Sequence, residues 1–326
     1  MALDPVPWLI GGGAEHSPEV ARLLSYAATR GSEGIVEVGD LKVTTLATPG
    51  AGVRSAAGAG VIRNRGAGGQ NQSYIARNAS STTINIAATA GTARSDLVVL
   101  QVEDPNVAGE PWQDPANPAV GPYVFFRVIS NVPAGTKRLQ DVAGYEGRSA
   151  ITLARIDLPA NTSAVQANHI IDLRKVANPR RETVLRVVTP PKDRQVQLST
   201  SWHNWPTFAN EFTVVEVPSW ATRMDVVVTM SGIALKTGVW GGVRATIGSL
   251  IAEGSFDSTF STSADPYQDV FTMAQTFAVP TAMRGTPVGI GTEARAASTG
   301  MPAANLPWTT ATARAIVQIE FTEAAD

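Results

Sequence analysis

The run Ser201-Trp202-His203-Asn204-Trp205-Pro206-Thr207-Phe208 gathers three aromatic rings and an imidazole in a short polar stretch. Flat aromatic faces beside hydrogen-bonding groups suit recognition of a sugar ring, and aromatic residues are enriched among those that dominate binding energy. The same side chains also fill the cores of β-sandwiches, because an indole brings a large apolar area and a single N–H to satisfy. Trp202, His203, Trp205 and Phe208 are therefore candidate contacts for a glycan or for another subunit, with core packing as the competing reading.

Other reactive groups form no recognisable constellation. His16, His169 and His203 lie far apart, and neither an H-E-x-x-H nor a G-x-S-x-G pattern occurs. The chain has no cysteine, which excludes disulfides, thiolate nucleophiles and Cys-ligated metals. Gly50-Ala-Gly52-Val-Arg-Ser55 begins like a dinucleotide-binding fingerprint but lacks its third glycine and a strand–turn–helix setting. Asp257, Asp265 and Asp269 cluster in a Ser/Thr-rich stretch. A glycosidase needs two carboxylates about 5–10 Å apart, a separation that loop spacing cannot establish. The same acids could hold calcium, but no EF-hand pattern accompanies them, and solvated loop acids are the expectation. The chain is thus read as a non-enzyme with no catalytic, cofactor or metal residues. Three N-x-S/T sequons, at Asn71, Asn78 and Asn161, read as chance occurrences.

The elements that would position these residues are mostly strands. One helix stands out: Ser17 can cap it, Pro18 suits its first position, Val20, Leu23, Leu24 and Ala27 recur at helical spacing, and Gly31 can stop it. It either packs on its own sheet or is shared between subunits. Short apolar runs then predict strands at 41–46, 60–63, 73–77, 82–87, 97–102, 124–130 and 151–158. The continuous run 97–100 suits a strand covered on both faces. Residues 47–69, rich in Gly and Ala, read as turns and close backbone approach and not as stable core. Residues 104–122 hold five prolines and read as a long loop of functional or interfacial kind.

A charged break with Pro179 at 174–182 marks a domain boundary, giving domains 1–178 and 183–326. The second half predicts strands at 184–188, 195–199, 212–217, 223–230, 243–247, 270–279 and 315–321, an antiparallel sandwich of the jelly-roll kind. The fold class is mainly β: an N-terminal β domain with one short helix, then a C-terminal β-sandwich.

Composition bounds the rest. The 326 residues suit about two domains, and a hydrophobic content of 44% can fill a core in each. Charged residues make up only 17%, against roughly 25% in ordinary domains. The surface must therefore rely on small and uncharged polar groups, as is common in assemblies. The net charge is −2, with 15 basic and 15 acidic side chains in residues 1–178 and 11 and 13 in 179–326. Neither half has the basic excess that phosphate backbones require, so nucleic acid is not expected as a partner. The opening MALDPVPWLIGGG has no basic region and is broken by prolines, so no secretion signal is expected there. No apolar run reaches the roughly 20 residues of a membrane span, and no membrane insertion is expected.

Five stretches resemble the N-terminal region of minor tail proteins from long-tailed phages of actinobacteria. They are G-V-R-S-A-A-G-A-G-V-I-R-N-R (52–65), Q-N-Q-S-Y-I-A-R-N (70–78), R-S-D-L-V-V-L-Q-V-E-D-P (94–105), I-T-L-A-R-I-D-L-P-A-N-T (151–162) and I-I-D-L-R-K-V-A (170–177). Together they cover most of residues 40–177. The resemblance implies a virion component at the tail tip or baseplate, assembled as a symmetric homo-oligomer, most often a trimer, beside other tail proteins. It also implies a C-terminal domain displayed outward; a host cell-surface glycan as partner is what the Trp202–Phe208 loop suggests. The alternatives are a carbohydrate-binding receptor module, motivated by the Trp202 loop, and a glycan hydrolase, motivated by Asp257, Asp265 and Asp269.

Overall fold

The computed structural model describes residues 17–69, 71–189, 200–207, 214–236, 238–257, 265–296 and 307–325. The expectations at His16, Phe208, 195–199 and 212–213 lie outside these residues, as does the side chain of Asp257. The protein is mainly β, with antiparallel sheets and one α-helix among the described residues. It divides into two compact units, Met1–Asn178 with Ala325–Asp326, and Pro179–Ala324. The division falls inside the charged stretch 174–182.

The first unit opens with α1 (Pro18–Thr29). The Ser17 hydroxyl accepts a hydrogen bond from the Val20 amide, and Arg30 ends the helix in the left-handed region. None of the helix residues is buried, and Leu23 and Leu24 are exposed. Polar contacts anchor it instead: Arg22 Nε donates to the Gln72 side chain at 2.6 Å and the guanidinium lies over Tyr74.

Ten strands follow: β1 (Gly34–Ile35), β2 (Val43–Gly50), β3 (Gly52–Ser55), β4 (Gly58–Arg63), β5 (Ser73–Asn78), β6 (Thr82–Asn85), β7 (Arg94–Val102), β8 (Val124–Val132), β9 (Ala150–Leu158) and β10 (Ile170–Asp172). They form three sheets, ordered β1-β4-β5, β2-β3-β6 and β10-β9-β7-β8. One core joins residues from all three, among them Ile35, Val53, Ile62, Ile84, Val98, Leu100, Leu153 and Ile156. Leu97 and Val99 point to the other face of β7, into a smaller cluster with Val132 and Leu139. This two-sided burial explains the unbroken apolar run at 97–100, since alternate residues must both avoid water.

In the glycine-rich stretch 47–69 the predicted strand at 60–63 and the close backbone approach are both found, but the expectation that it is not core is corrected. The stretch contains β3 and β4, and Val53, Val61 and Ile62 are buried. Its glycines serve close packing within the core: a Cβ at Gly60 would lie 2.7 Å from the Ile151 side chain. The loop 104–122 has little regular structure, but its own Val107 is buried.

The second unit holds β11 (Arg181–Val188), β12 (His203–Asn204), β13 (Val214–Glu216), β14 (Arg223–Leu235), β15 (Trp240–Ile247), β16 (Leu250–Asp257), β17 (Tyr267–Ala278), β18 (Pro287–Ala296) and β19 (Trp308–Thr322). One sheet runs β11-β19-β14-β17 and the other β12-β18-β15-β16, with β13 also pairing β18. With the two-residue β12 set aside, the remaining strands number one to eight in chain order. The sheets then read 1-8-3-6 and 2-7-4-5, the jelly-roll arrangement of two nested Greek keys. Met224, Val226 and Val228 of the first sheet meet Val243, Ala245 and Ile290 of the second in one core. Long strands alternate cleanly, as in β19, where Ala313, Ala315, Val317, Ile319 and Phe321 are buried.

Carboxylates tie the strand surfaces and set an acid limit on stability. The Arg155 hydrogen bond holds Asp157 below its ordinary value of 3.8, and the Thr276 hydroxyl, then Arg223, does the same for Asp225. A lowered folded-state pKa stabilises the fold above the unfolded value, and that stabilisation is lost as pH falls through the folded value. The urea midpoint is thus expected to be flat from about pH 7 to 5 and to fall below about pH 4. Asp225→Asn is expected to flatten the acid limb. A wild-type midpoint that falls already between pH 7 and 5 would contradict this assignment.

Candidate functional site

The outward face of the β12-β18-β15-β16 sheet carries the candidate site. Along β15, Val243, Ala245 and Ile247 point inward, so Trp240, Gly242 and Arg244 point out. Register places Ser255 and Arg295 on either side of Gly242, and Glu253 and Glu293 on either side of Arg244. Trp202, just before β12, reaches across this face. A Cβ at position 242 would lie 2.6 Å from its ring, so the glycine is what lets the indole sit there.

Two guanidinium groups hold that indole. The Arg244 and Arg295 carbons lie 4.4 and 4.7 Å from the Trp202 ring, within cation–π range. Arg244 also donates through Nε to Glu293 at 2.6 Å. Among the described residues no carboxylate pairs with Arg295, which is exposed. Glu253 and Ser255 are exposed beside it. The result is an open cleft of about 510 Å³, lined by Thr200, Trp202, Trp240, Glu253, Ser255 and Arg295 over a floor of Gly241, Gly242 and Phe256. That volume falls in the range of small-molecule sites.

The residues singled out in the sequence separate here. Trp202 lines the cleft. Trp205 does not: it is 2% exposed and belongs to the sandwich core, its backbone amide donating to the Thr292 carbonyl at 2.9 Å. As a surface contact Trp205 is therefore corrected to a core residue. His203 sits in β12, its Nδ1 donating to the Ser201 carbonyl at 3.2 Å. His169 belongs to the other unit, where its Nδ1 accepts from the Gln166 amide. Trp240, 42% exposed, is the aromatic that the loop reading missed. Its signal was the W-G-G triplet at 240–242, an exposed indole next to two residues without side chains.

Asp269 lies on β17 and accepts from the Val270 amide at 2.7 Å. Among the described residues, no group of three or more His, Cys, Asp and Glu is placed to hold a metal ion. No helix is long and apolar enough to cross a membrane among these residues.

No family model and no curated protein matches the chain. Some solved structures overlap it loosely. The infectious bursal disease virus VP2 subviral particle covers 90% of this chain and 70% of its own, at 12% identity and a TM-score of 0.28. The T13 particle of the same virus gives the same coverage at 13% identity and a TM-score of 0.26. The Cry4Aa toxin of Bacillus thuringiensis covers 88% of this chain and 53% of its own, at 10% identity and a TM-score of 0.21. Overlaps this loose carry no argument about what the chain does.

The chemistry of the cleft can be read directly. It offers the Trp240 indole, the Arg295 guanidinium, the Glu253 carboxylate and the Ser255 hydroxyl, all carried on strands. Glycoside hydrolysis uses two carboxylates. In this lining Glu253 is the one carboxylate among the described residues, and nearby Glu293 is engaged by Arg244. The arrangement suits holding a ligand.

Proposed function

We propose that this chain is a structural minor tail protein of a long-tailed actinobacteriophage. Residues 1–178 attach it to the tail and form a symmetric homo-oligomer, most simply a trimer. Residues 183–326 face outward. One observation carries the reading: the five stretches that resemble minor tail proteins supply β3, β4, β5, β7, β9 and β10. Their Val53, Ile62, Ala76, Val98, Leu153, Ile156 and Val176 share a single core. The resemblance therefore follows one folded unit and is not scattered over unrelated surface.

Two further features support it. Leu23 and Leu24 on α1 and Ile75 on β5 are exposed, giving the first unit apolar surface of the kind that subunit contacts bury. The jelly-roll order is also used by viral capsid and lectin domains, although this is a fold-level analogy and function resides in sites.

Immunogold labelling of intact particles with antibody to residues 183–326 tests the proposal. Label at the distal tail end is the expected result. Absence of the protein from purified particles by mass spectrometry, or a strictly monomeric chain in solution, overturns it.

A further inference from the structure

We propose that the cleft between Trp240, Glu253 and Arg295 is a binding site for a neutral pyranose unit of a polysaccharide. The inference rests on the geometry of the second unit and stands independently of the tail reading.

Three features define the ligand. First, Trp240 presents an exposed indole in the lining of the cleft, next to Gly241 and to Gly242, which the Trp202 ring covers. An exposed, flat indole face suits a ring whose faces are apolar C–H surfaces. The Trp202 ring cannot serve as an equally free platform, because Arg244 and Arg295 already stack on it. Its role is to wall the cleft and hold Arg295 in place.

Second, the polar groups beside the platform are planar forks. The Glu253 carboxylate offers two acceptor oxygens and the Arg295 guanidinium offers paired donors. Each fork matches two adjacent hydroxyl groups, the pattern found along the edge of a pyranose. Ser255 and Thr200 add hydroxyls that donate or accept. Among the described residues, Glu253 and Ser255 make no side-chain hydrogen bond, so both remain available.

Third, the charge balances. Among the described residues, Glu293 neutralises Arg244, leaving in the lining one cation at Arg295 and one anion at Glu253. A uronate gains at Arg295 only with its carboxylate turned away from Glu253, and a cationic ligand gains at Glu253 only when turned away from Arg295. A neutral sugar meets neither restriction. The cleft is also open to the surface, so a chain of sugars can continue beyond the seated unit.

The cleft is pre-formed. Its floor residue Phe256 is 3% exposed and stacks on Phe271 at 5.3 Å within the sandwich core. Little ordering is left to be done when a ligand arrives, which favours binding.

Calorimetric titration of the full chain tests the proposal. The probes are neutral tetrasaccharides of glucose, galactose, mannose, xylose and N-acetylglucosamine, with a tetrauronate as the charged comparison. Saturable binding of at least one neutral probe is expected. Trp240→Ala should weaken it about tenfold or more, in line with loss of an aromatic anchor. Trp240→Phe should restore part of the loss. Arg295→Ala and Glu253→Gln, both at exposed positions, should each weaken it about fivefold, as loss of one hydrogen-bonded contact would. Leu185→Ala, on the other sheet, should leave binding unchanged. No binding of any neutral probe, preference for the uronate, or binding indifferent to Trp240→Ala and Arg295→Ala overturns the proposal. None of these outcomes bears on whether the protein sits in the phage tail, which particle labelling reads separately.

Discussion

Arg94→Ala is expected to destabilise the first unit by about 3–5 kcal/mol, the range for breaking a buried ion pair from one side. Asp96 is fully buried at the bulge where the β7–β8 register shifts. Arg94 grips both of its oxygens, Nε to Oδ1 and Nη2 to Oδ2, each at 2.8 Å. The same guanidinium donates to the Ala87 carbonyl at 2.6 Å and so ties the chain after β6 to the start of β7. Without Arg94 the carboxylate keeps the Asn131 amide as a donor, at 2.9 Å, but loses its counter-charge. Asp96→Asn in the Arg94→Ala background should recover part of the loss, because a neutral amide is cheaper to bury than an unpaired carboxylate. Urea unfolding, with hydrogen exchange read at β7 and β9, measures both. A loss below about 1 kcal/mol, typical of exposed pairs, would mean that water reaches Asp96.

Phe321→Ala should cost the second unit a similar amount, about 3–5 kcal/mol, through lost apolar burial and the cavity left behind. Phe321 is fully buried on β19, which pairs with both β11 and β14. Its register partner on β14 is Met224, also fully buried, so the cavity would open between the sheets and not at an edge where the chain could collapse. Phe321→Leu, closer in volume, should cost less than the alanine change. Thermal unfolding with exchange read at β14 and β19 distinguishes the two variants. Equal losses would indicate that shape at this position matters more than volume.

Several features were legible because they depend on neighbours in the chain. The helix followed from Ser17, Pro18 and a spacing of three and four, since its hydrogen bonds close within a turn. The strand at 315–321 followed from a short, largely apolar run, and the structure buries every second residue of it, Ala315, Val317, Ile319 and Phe321, because one face is dry and the other wet. The burial of 47–69 was missed, although its strand at 60–63 and its close backbone approach were read, because a glycine carries no signal of what approaches it. Val53 and Ile62 became core residues only when β9 and its Ile151 arrived from about ninety positions away.

By itself, then, the sequence determined a β-rich chain with one capped helix and a break near residue 178. A jelly-roll-like sandwich was already the expectation; tertiary structure alone decided which strands pair, β11 with β19 across more than a hundred residues. It also decided the site. Trp202 and Trp205 stand three residues apart in one loop, yet pairing with β18 sends one outward and the other into the core. Arg295, Glu253 and Trp240 come from three different strands. Their meeting depends on which strands pair and in what register, and both are fixed by burying a common core, so no local pattern could have announced it.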